Sequence, residues 1–161
     1  MPNLEHLSIL QDALAKNDID IWNKWYAEQR IVGPLLRHYL TRANLDNADL
    51  SNANLTRAIL TKANLTNANL TKANLTNANL GDAYLTGAKL TGATLFRAEL
   101  TGANLTDANL TGANLTDANL TGADLTSANF STPFFWHAAR ANLSRTNLTD
   151  ANFANANLTD T

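Results

Sequence analysis

The 161-residue chain contains no cysteine and only three prolines and one methionine. Without cysteine, a disulfide framework and thiolate chemistry are both excluded. No apolar stretch approaches the roughly 20 residues that a membrane-spanning helix needs. The first residues show no basic segment followed by an apolar one, so no secretory signal is visible. These absences predict a cytoplasmic protein with no membrane partner.

Charged residues are also scarce, at 16% of the chain, and the formal net charge is −2. From residue 41 onward, nine acidic side chains are balanced by eight basic ones. A nucleic-acid-binding protein normally concentrates its lysines and arginines into a basic patch or stripe. No such stripe is present in the sequence, so we expect no nucleic-acid partner.

Leucine is abundant, and it recurs at every fifth position from Leu40 to Leu125. Phe130 takes the next place, which gives 19 consecutive centres. Alanine lies two residues before each centre from Ala43 to Ala128. A five-residue period fits neither the 3.6-residue helical turn nor the two-residue alternation of a strand. The chain must therefore turn once per unit, with each Leu inward and the two residues after it facing water.

The unit Ala-Asn/Asp-Leu-x-x, as at residues 103–107, resembles the repeat of the pentapeptide-repeat protein family over about three quarters of the chain. The resemblance implies an all-β solenoid, a right-handed quadrilateral parallel β-helix with four units per coil. It also implies that the Leu and the Ala point inward and that the residue before each centre points outward. Representative core positions are Leu65, Leu85, Leu105, Leu125, Ala83 and Ala103.

Residues 1–32 do not repeat, and we predict that they form a helical cap before the repeat domain at 33–161. Their apolar residues have helical spacing, and Asn17-Asp18 is positioned to begin a second helix that carries Trp22 and Trp25. An open solenoid end exposes its Leu layer and needs a cover. We expect the outward residue Ile59 to pack against this cap. The Trp-Asn-x-Trp sequence resembles lead-in helices of cyanobacterial repeat proteins, which implies a cyanobacterial source.

The repeat breaks after Phe130 and resumes at Leu143, thirteen residues later. This spacing is interpreted as two units plus three extra residues, with Phe135 as one candidate centre inside the break. A short helical turn that begins at Thr132 is the alternative. In either case we predict a bulge at about 131–140, as a loop, a helical turn or an irregular coil.

Aromatic and arginine residues, which are enriched in interface hot spots, interrupt the repeat at two places. Phe96 replaces the usual Thr beside Arg97, on a face that also carries Arg57, Asn77 and Asp117 if coils repeat every twenty residues. The predicted partner-binding residues are Phe96, Arg97, Phe134, Trp136, His137 and Arg140.

The C-terminal end of the repeat has centres at Phe153 and Leu158 and no helix after them. In gyrase-binding members of the family this end pairs two chains. The resemblance therefore implies a homodimer, with Phe153 and Leu158 as its interface centres.

Catalytic chemistry has no visible basis in this sequence. The three histidines lie in different regions, and no nucleotide-binding, nucleophile or metalloprotease motif occurs. A narrow tube filled with Leu and Ala also leaves no substrate cavity. We therefore predict no enzyme activity and no catalytic, cofactor or metal site.

The predicted function is a non-catalytic rigid scaffold for protein–protein interaction. One alternative from the family resemblance is a DNA-mimicking gyrase-binding protein, which requires a strongly negative surface. The charge balance disfavours that role. The other alternative is a structural or stress protein with no specific partner.

Overall fold

A computed structural model describes residues 4–29, 40–131 and 141–158 of the chain. Helix α1 spans Leu4–Ala15 and helix α2 spans Ile19–Gln29. The side-chain Oδ1 of Asp18 accepts a hydrogen bond from the backbone N–H of Asp20 at 3.0 Å, as an N-cap residue does. The two predicted helices and the predicted start of the second are confirmed. The proposed domain boundary at residues 32 and 33 lies outside the described residues.

Across residues 40–131 and 141–158 the backbone turns once every five residues. Parallel β-bridges join the residue before each centre to its equivalent twenty positions later, beginning with Asn44–Asn64 and continuing to Asn109–Asn129. Twenty residues per coil and five per unit give four sides. The fold is therefore a right-handed quadrilateral parallel β-helix with an N-terminal α-helical cap, as predicted.

Each corner of the coil is a turn with a left-handed residue. The residue two after the centre has φ between +53° and +67°, a region that Gly, Asn and Asp adopt more easily than other residues. In the unit around Leu105, the Asn104 Oδ1 accepts a hydrogen bond from the Thr106 N–H at 3.0 Å. The Leu105 carbonyl accepts another from the Ala108 N–H at 3.0 Å. Short polar side chains therefore set the period of five.

Coils are joined by backbone hydrogen bonds above and below. The Leu105 N–H donates to the Asp124 carbonyl at 2.6 Å, and the Asn104 N–H donates to the Ala83 carbonyl at 2.9 Å. The centres from Leu40 to Phe130 are at most 2% exposed. The predicted core positions are all fully buried, namely Leu65, Leu85, Leu105, Leu125, Ala83 and Ala103. The predicted inward positions are therefore confirmed.

The register changes at the break in the repeat. Asn109 bridges Asn129, twenty residues away, but Asn114 bridges Asn142, which is twenty-eight residues away. Leu143 therefore lies on the first face after Phe130, and the segment between them holds one unit and eight extra residues. The prediction of two units and three extra residues is therefore wrong. The sequence alone could not decide, because a spacing of thirteen residues fits both divisions. Residues 132–140, with the candidates Phe134 and Phe135, lie outside the described residues.

Candidate functional site

The cap contacts the solenoid through side chains of α2. The Trp22 Nε1–H donates to the Asn54 carbonyl at 2.8 Å, and the Asn23 Oδ1 accepts from the Asn54 N–H at 2.7 Å. One coil further on, the Asn74 backbone makes the equivalent bonds to Ala53 and Leu55, at 2.9 and 2.8 Å. Two side chains of the cap therefore replace the backbone partners that a preceding coil would supply.

The two tryptophans of the cap confirm the predicted cover. Trp22 is fully buried in the core, Trp25 is partly buried against it, and their ring centroids are 5.2 Å apart. Sequence reasoning missed the role of Asn23, which also donates through Nδ2 to the Asn52 carbonyl at 3.2 Å. The sequence signal for this role was the Trp22-Asn23 pair, which places a ring N–H donor beside an amide that both donates and accepts hydrogen bonds.

One face of the solenoid carries a row of residues two positions after the centre, which we call the arginine column. Backbone bonds of 2.9 to 3.0 Å link successive coils along it, from the Arg57 N–H to the Thr76 carbonyl and onward. Its members are Arg57, Asn77, Arg97, Asp117 and Arg145. The first four were predicted to share a face. Arg145 was missed because the last coil is twenty-eight residues long rather than twenty.

The arginine column contains an ion-paired half. Arg145 holds Asp117 through two contacts, Nε to Oδ1 at 2.6 Å and Nη2 to Oδ2 at 2.9 Å. Arg97 lies on the other side, with its Nε 3.5 Å from the Asp117 Oδ2. Hydrogen bonding to Arg145, followed by the charges of both arginines, lowers the pKa of Asp117 below its ordinary value. Asp117 therefore carries its negative charge between two positive ones.

Phe96 lies beside the arginine column. The guanidinium carbon of Arg97 is 4.7 Å from the centroid of the Phe96 ring, which is cation–π geometry. Phe96 is half-buried, as are most residues directly after a centre. The structure places Phe96 and Arg97 together, as predicted.

A shallow depression adjoins the other half of the column. It has a volume of about 460 Å³ and is lined by Arg57, Ile59, Asn77, Asn79 and Arg97. Ile59 is half-buried there, on the side next to the column. The predicted contact of Ile59 with the cap stays a prediction. A second depression of about 420 Å³ lies around Lys62, Asp82 and Tyr84, and Tyr84 is 54% exposed.

The opposite face of the solenoid has the opposite charge. Two units along the coil from the arginine column, the outward positions hold Asp46, Asp107 and Asp124, which we call the acidic face. In the described coils no Lys or Arg occupies an outward position of that face. Hydrogen bonds from the Thr126 side chain and backbone lower the pKa of Asp124. The near-neutral total therefore conceals a separation of charge between two sides.

The last described coil is less covered than the others. Leu148 and Leu158 are 36% and 42% exposed. Phe153 is half-buried, with its ring centroid 6.2 Å from that of Phe130. The predicted dimer residues Phe153 and Leu158 therefore both lie in this coil, and the dimer itself stays a prediction.

The remaining predictions concern residues that the structure does not describe, metal sites and membrane-spanning helices. Phe134, Trp136, His137 and Arg140 lie outside the described residues. Within residues 4–29, 40–131 and 141–158, no group of three or more His, Asp or Glu side chains is placed to hold a metal ion. In the same ranges, neither helix has the length and apolar character needed to cross a membrane.

Comparison with known proteins identifies one matching family and several solved structures with the same fold. The family model described as Pentapeptide repeats matches in 8 copies, over residues 39–77, 63–102, 95–131 and 137–161. No curated protein matches the chain.

Two solved structures are similar over much of the chain. The pentapeptide repeat protein Rfr23 from the cyanobacterium Cyanothece 51142 is 37% identical, with a TM-score of 0.57, over 63% of this chain and 65% of its own. HetL from the cyanobacterium Nostoc sp. strain PCC 7120 is 33% identical, also with a TM-score of 0.57, over 77% of this chain and 62% of its own. HetL is described as involved in the regulation of heterocyst differentiation. The chain thus matches less than two thirds of the length of either relative.

Proposed function

This chain belongs to the pentapeptide repeat family, and we propose that it is a non-catalytic, rigid scaffold that binds another protein through the face of the arginine column. The observation that carries the proposal is the column itself. It sets three arginines and a half-buried phenylalanine on one side of a solenoid whose outward positions are otherwise mostly Asn, Thr and Gly. Arginine and aromatic residues are the types most often found in binding hot spots.

The backbone of this face is fixed before any partner arrives. The backbone N–H of Arg57, Asn77 and Arg97 each bonds the next coil at 2.9 to 3.0 Å. The backbone positions that carry successive side chains are therefore held about 4.8 Å apart, the spacing of neighbouring strands. A surface that is already ordered loses little entropy on binding, so more of the contact energy contributes to affinity.

One relative supports a regulatory role. HetL, at 33% identity, is involved in the regulation of heterocyst differentiation. We propose a comparable role in the cytoplasm for this chain, without assigning the same process. A cyanobacterial source is consistent with both relatives.

The charge distribution disfavours the DNA-mimicking alternative. A duplex presents negative charge on all sides, whereas this solenoid has three arginines opposite its acidic face. A purely structural role does not account for why Phe96 and Arg97 interrupt the regular pattern on that side.

The proposal is tested by affinity capture from the source cell with the full chain as bait. The variant is the double substitution Phe96→Thr, Arg97→Glu, in which Thr restores the residue most common at that position. The matched control is Lys89→Glu, which reverses one exposed charge on a different face. We expect a protein that wild type and the control capture and the double variant does not. If all three baits retain the same proteins, the arginine column is not the binding surface.

A further inference from the structure

The arginine column has two halves with the same spacing but different central residues. In one half, Asp117 lies between Arg97 and Arg145, one coil from each, and binds both. In the other half, Asn77 lies between Arg57 and Arg97, also one coil from each. The position that holds a carboxylate in the first half therefore holds a neutral amide in the second.

The half with Asn77 has polar groups that the protein itself does not use. Within the described part of the chain, the Arg57 guanidinium has no ion pair, and the Asn77 side chain has no hydrogen bond. The depression of about 460 Å³ lies at this half and includes both arginines. Arg57 and Arg97 are about 10 Å apart along the axis, twice the spacing of coils. A carboxylate over Asn77 would thus be within reach of both.

We infer that this depression binds an acidic segment of the partner protein, with one Asp or Glu carboxylate between Arg57 and Arg97. The inference rests on the proposed function and names the chemistry of its partner. The Asn77 amide would donate a third hydrogen bond to the carboxylate, and Ile59 offers apolar contact to a neighbouring side chain of the segment. Asp117 between Arg97 and Arg145 is the example of this arrangement within the chain itself.

The charges around the depression favour a short acidic peptide over a polyanion. Two acids lie beside the depression. Asp117 is paired with Arg97 and Arg145, and Glu99, which follows Asn79 by one coil, accepts a hydrogen bond through Oε2 from the Asn119 Nδ2 at 2.9 Å. Further along the column, Asp117 would repel an extended chain of phosphates. A nucleic acid needs several phosphate contacts in a row, whereas a single carboxylate needs only the two arginines.

The decisive variant is Asn77→Asp, which supplies the missing carboxylate from within the chain. Asn and Asp both tolerate the left-handed backbone, and the φ of Asn77 is 55°. The new carboxylate would pair with the arginines and exclude that of the partner. The matched control is Asn67→Asp, the same substitution at an exposed position with the same φ of 55° on the acidic face.

The probe is a random peptide library displayed on phage and selected on the full-length protein. The strongest peptide is then synthesised with a fluorescent label, and its Kd is measured by anisotropy. We expect the selected peptides to carry Asp or Glu beside an apolar residue. Asn77→Asp and Arg57→Gln should each weaken binding, the former by about tenfold, as the loss of two exposed ion pairs implies. Asn67→Asp should change Kd by less than about twofold, as a remote surface substitution would.

Any of four results would overturn the inference. Selection could yield no peptide, or peptides without acidic residues, or the two Asn→Asp variants could weaken binding equally. A selected peptide that binds elsewhere, for instance one lost on Tyr84→Ala, also overturns the acidic site but leaves the scaffold proposal intact. The capture experiment with Phe96→Thr, Arg97→Glu decides that proposal separately.

Discussion

At the N-terminal end of the described solenoid, Trp22 and Asn23 bond the backbone of Asn54, and Leu40, the first centre that the structure describes, is fully buried. At the C-terminal end, Leu148 is 36% exposed, although it occupies the same kind of centre. Both centres are Leu followed by Thr, so the residue at the centre does not determine its burial. What differs is whether another structural element covers the inward-pointing centres of the coil. In a solenoid, stability depends on the interface between neighbouring coils.

The largest effect is expected in the middle of the solenoid, where coils cover a centre on both sides. Leu105→Lys places a charge without a partner in a fully buried position, which costs at least about 4 kcal/mol and should prevent folding. The control is Asp107→Lys, at an exposed position of the type that Lys62 and Lys72 already occupy. Circular dichroism during heating measures both. Equal melting temperatures would contradict the assignment of inward and outward positions.

Removal of the N-terminal cover should have the next largest effect. Trp22→Ala leaves a cavity in the core and removes the hydrogen bond to the Asn54 carbonyl, at a cost of about 3–5 kcal/mol. Lys24→Ala, at an exposed position of the same helix, is the control and should change stability by less than about 0.5 kcal/mol. Urea unfolding curves provide the comparison. If the two variants unfold at the same urea concentration, the cap does not cover the core.

The C-terminal end is predicted to obtain its cover from a second chain. Light scattering at high protein concentration should give twice the mass of one chain. Leu148→Asp, which places a charge at the exposed end, should give the monomer mass. Tyr84→Asp is the control, because Tyr84 is 54% exposed but lies on the side of the solenoid. A wild-type protein that remains strictly monomeric would contradict the dimer.

The smallest effect concerns the ion pairs that join the last coil to the one before it. The arginines beside Asp117 lower its pKa, so its stabilising contribution is present above the ordinary Asp pKa of about 3.9 and is lost as pH falls through the lowered value. Asp117→Asn should therefore lower the melting temperature at pH 7, and the difference from wild type should shrink in strong acid. Asp107→Asn on the acidic face is the control. A difference that is independent of pH would show that the arginines do not stabilise the charged carboxylate.

The sequence predicted the solenoid because the same constraint is repeated 19 times. Each Leu lies five residues after the last, and only a coil that turns once per unit can bury all of them. The cap was predictable for a related reason, since Trp22 and Trp25 have no place in the repeat and an open end requires a cover. The hydrogen bonds of Asn23 were not predictable, because they depend on the position of α2 over Asn54.

The candidate surface was only partly predictable. A period of twenty placed Arg57 and Arg97 on one face, but it could not place Arg145 after a break of ambiguous length. The contact between the Arg97 guanidinium and the Phe96 ring depends on the rotamer of Arg97, which the sequence does not specify. The acidic face was missed because the charges were counted over the whole repeat region and not separately for each face of the solenoid.

The central claim is that binding resides on the arginine column while stability resides in the Leu and Ala ladder. The most direct test measures melting temperature and partner capture on the same protein, Phe96→Thr, Arg97→Glu. We predict a melting temperature within about 3 °C of wild type, since surface substitutions change stability by less than about 0.5 kcal/mol, together with loss of the captured partner. Unchanged capture would contradict the claim. A large fall in melting temperature that accompanies the loss of capture would contradict it as well.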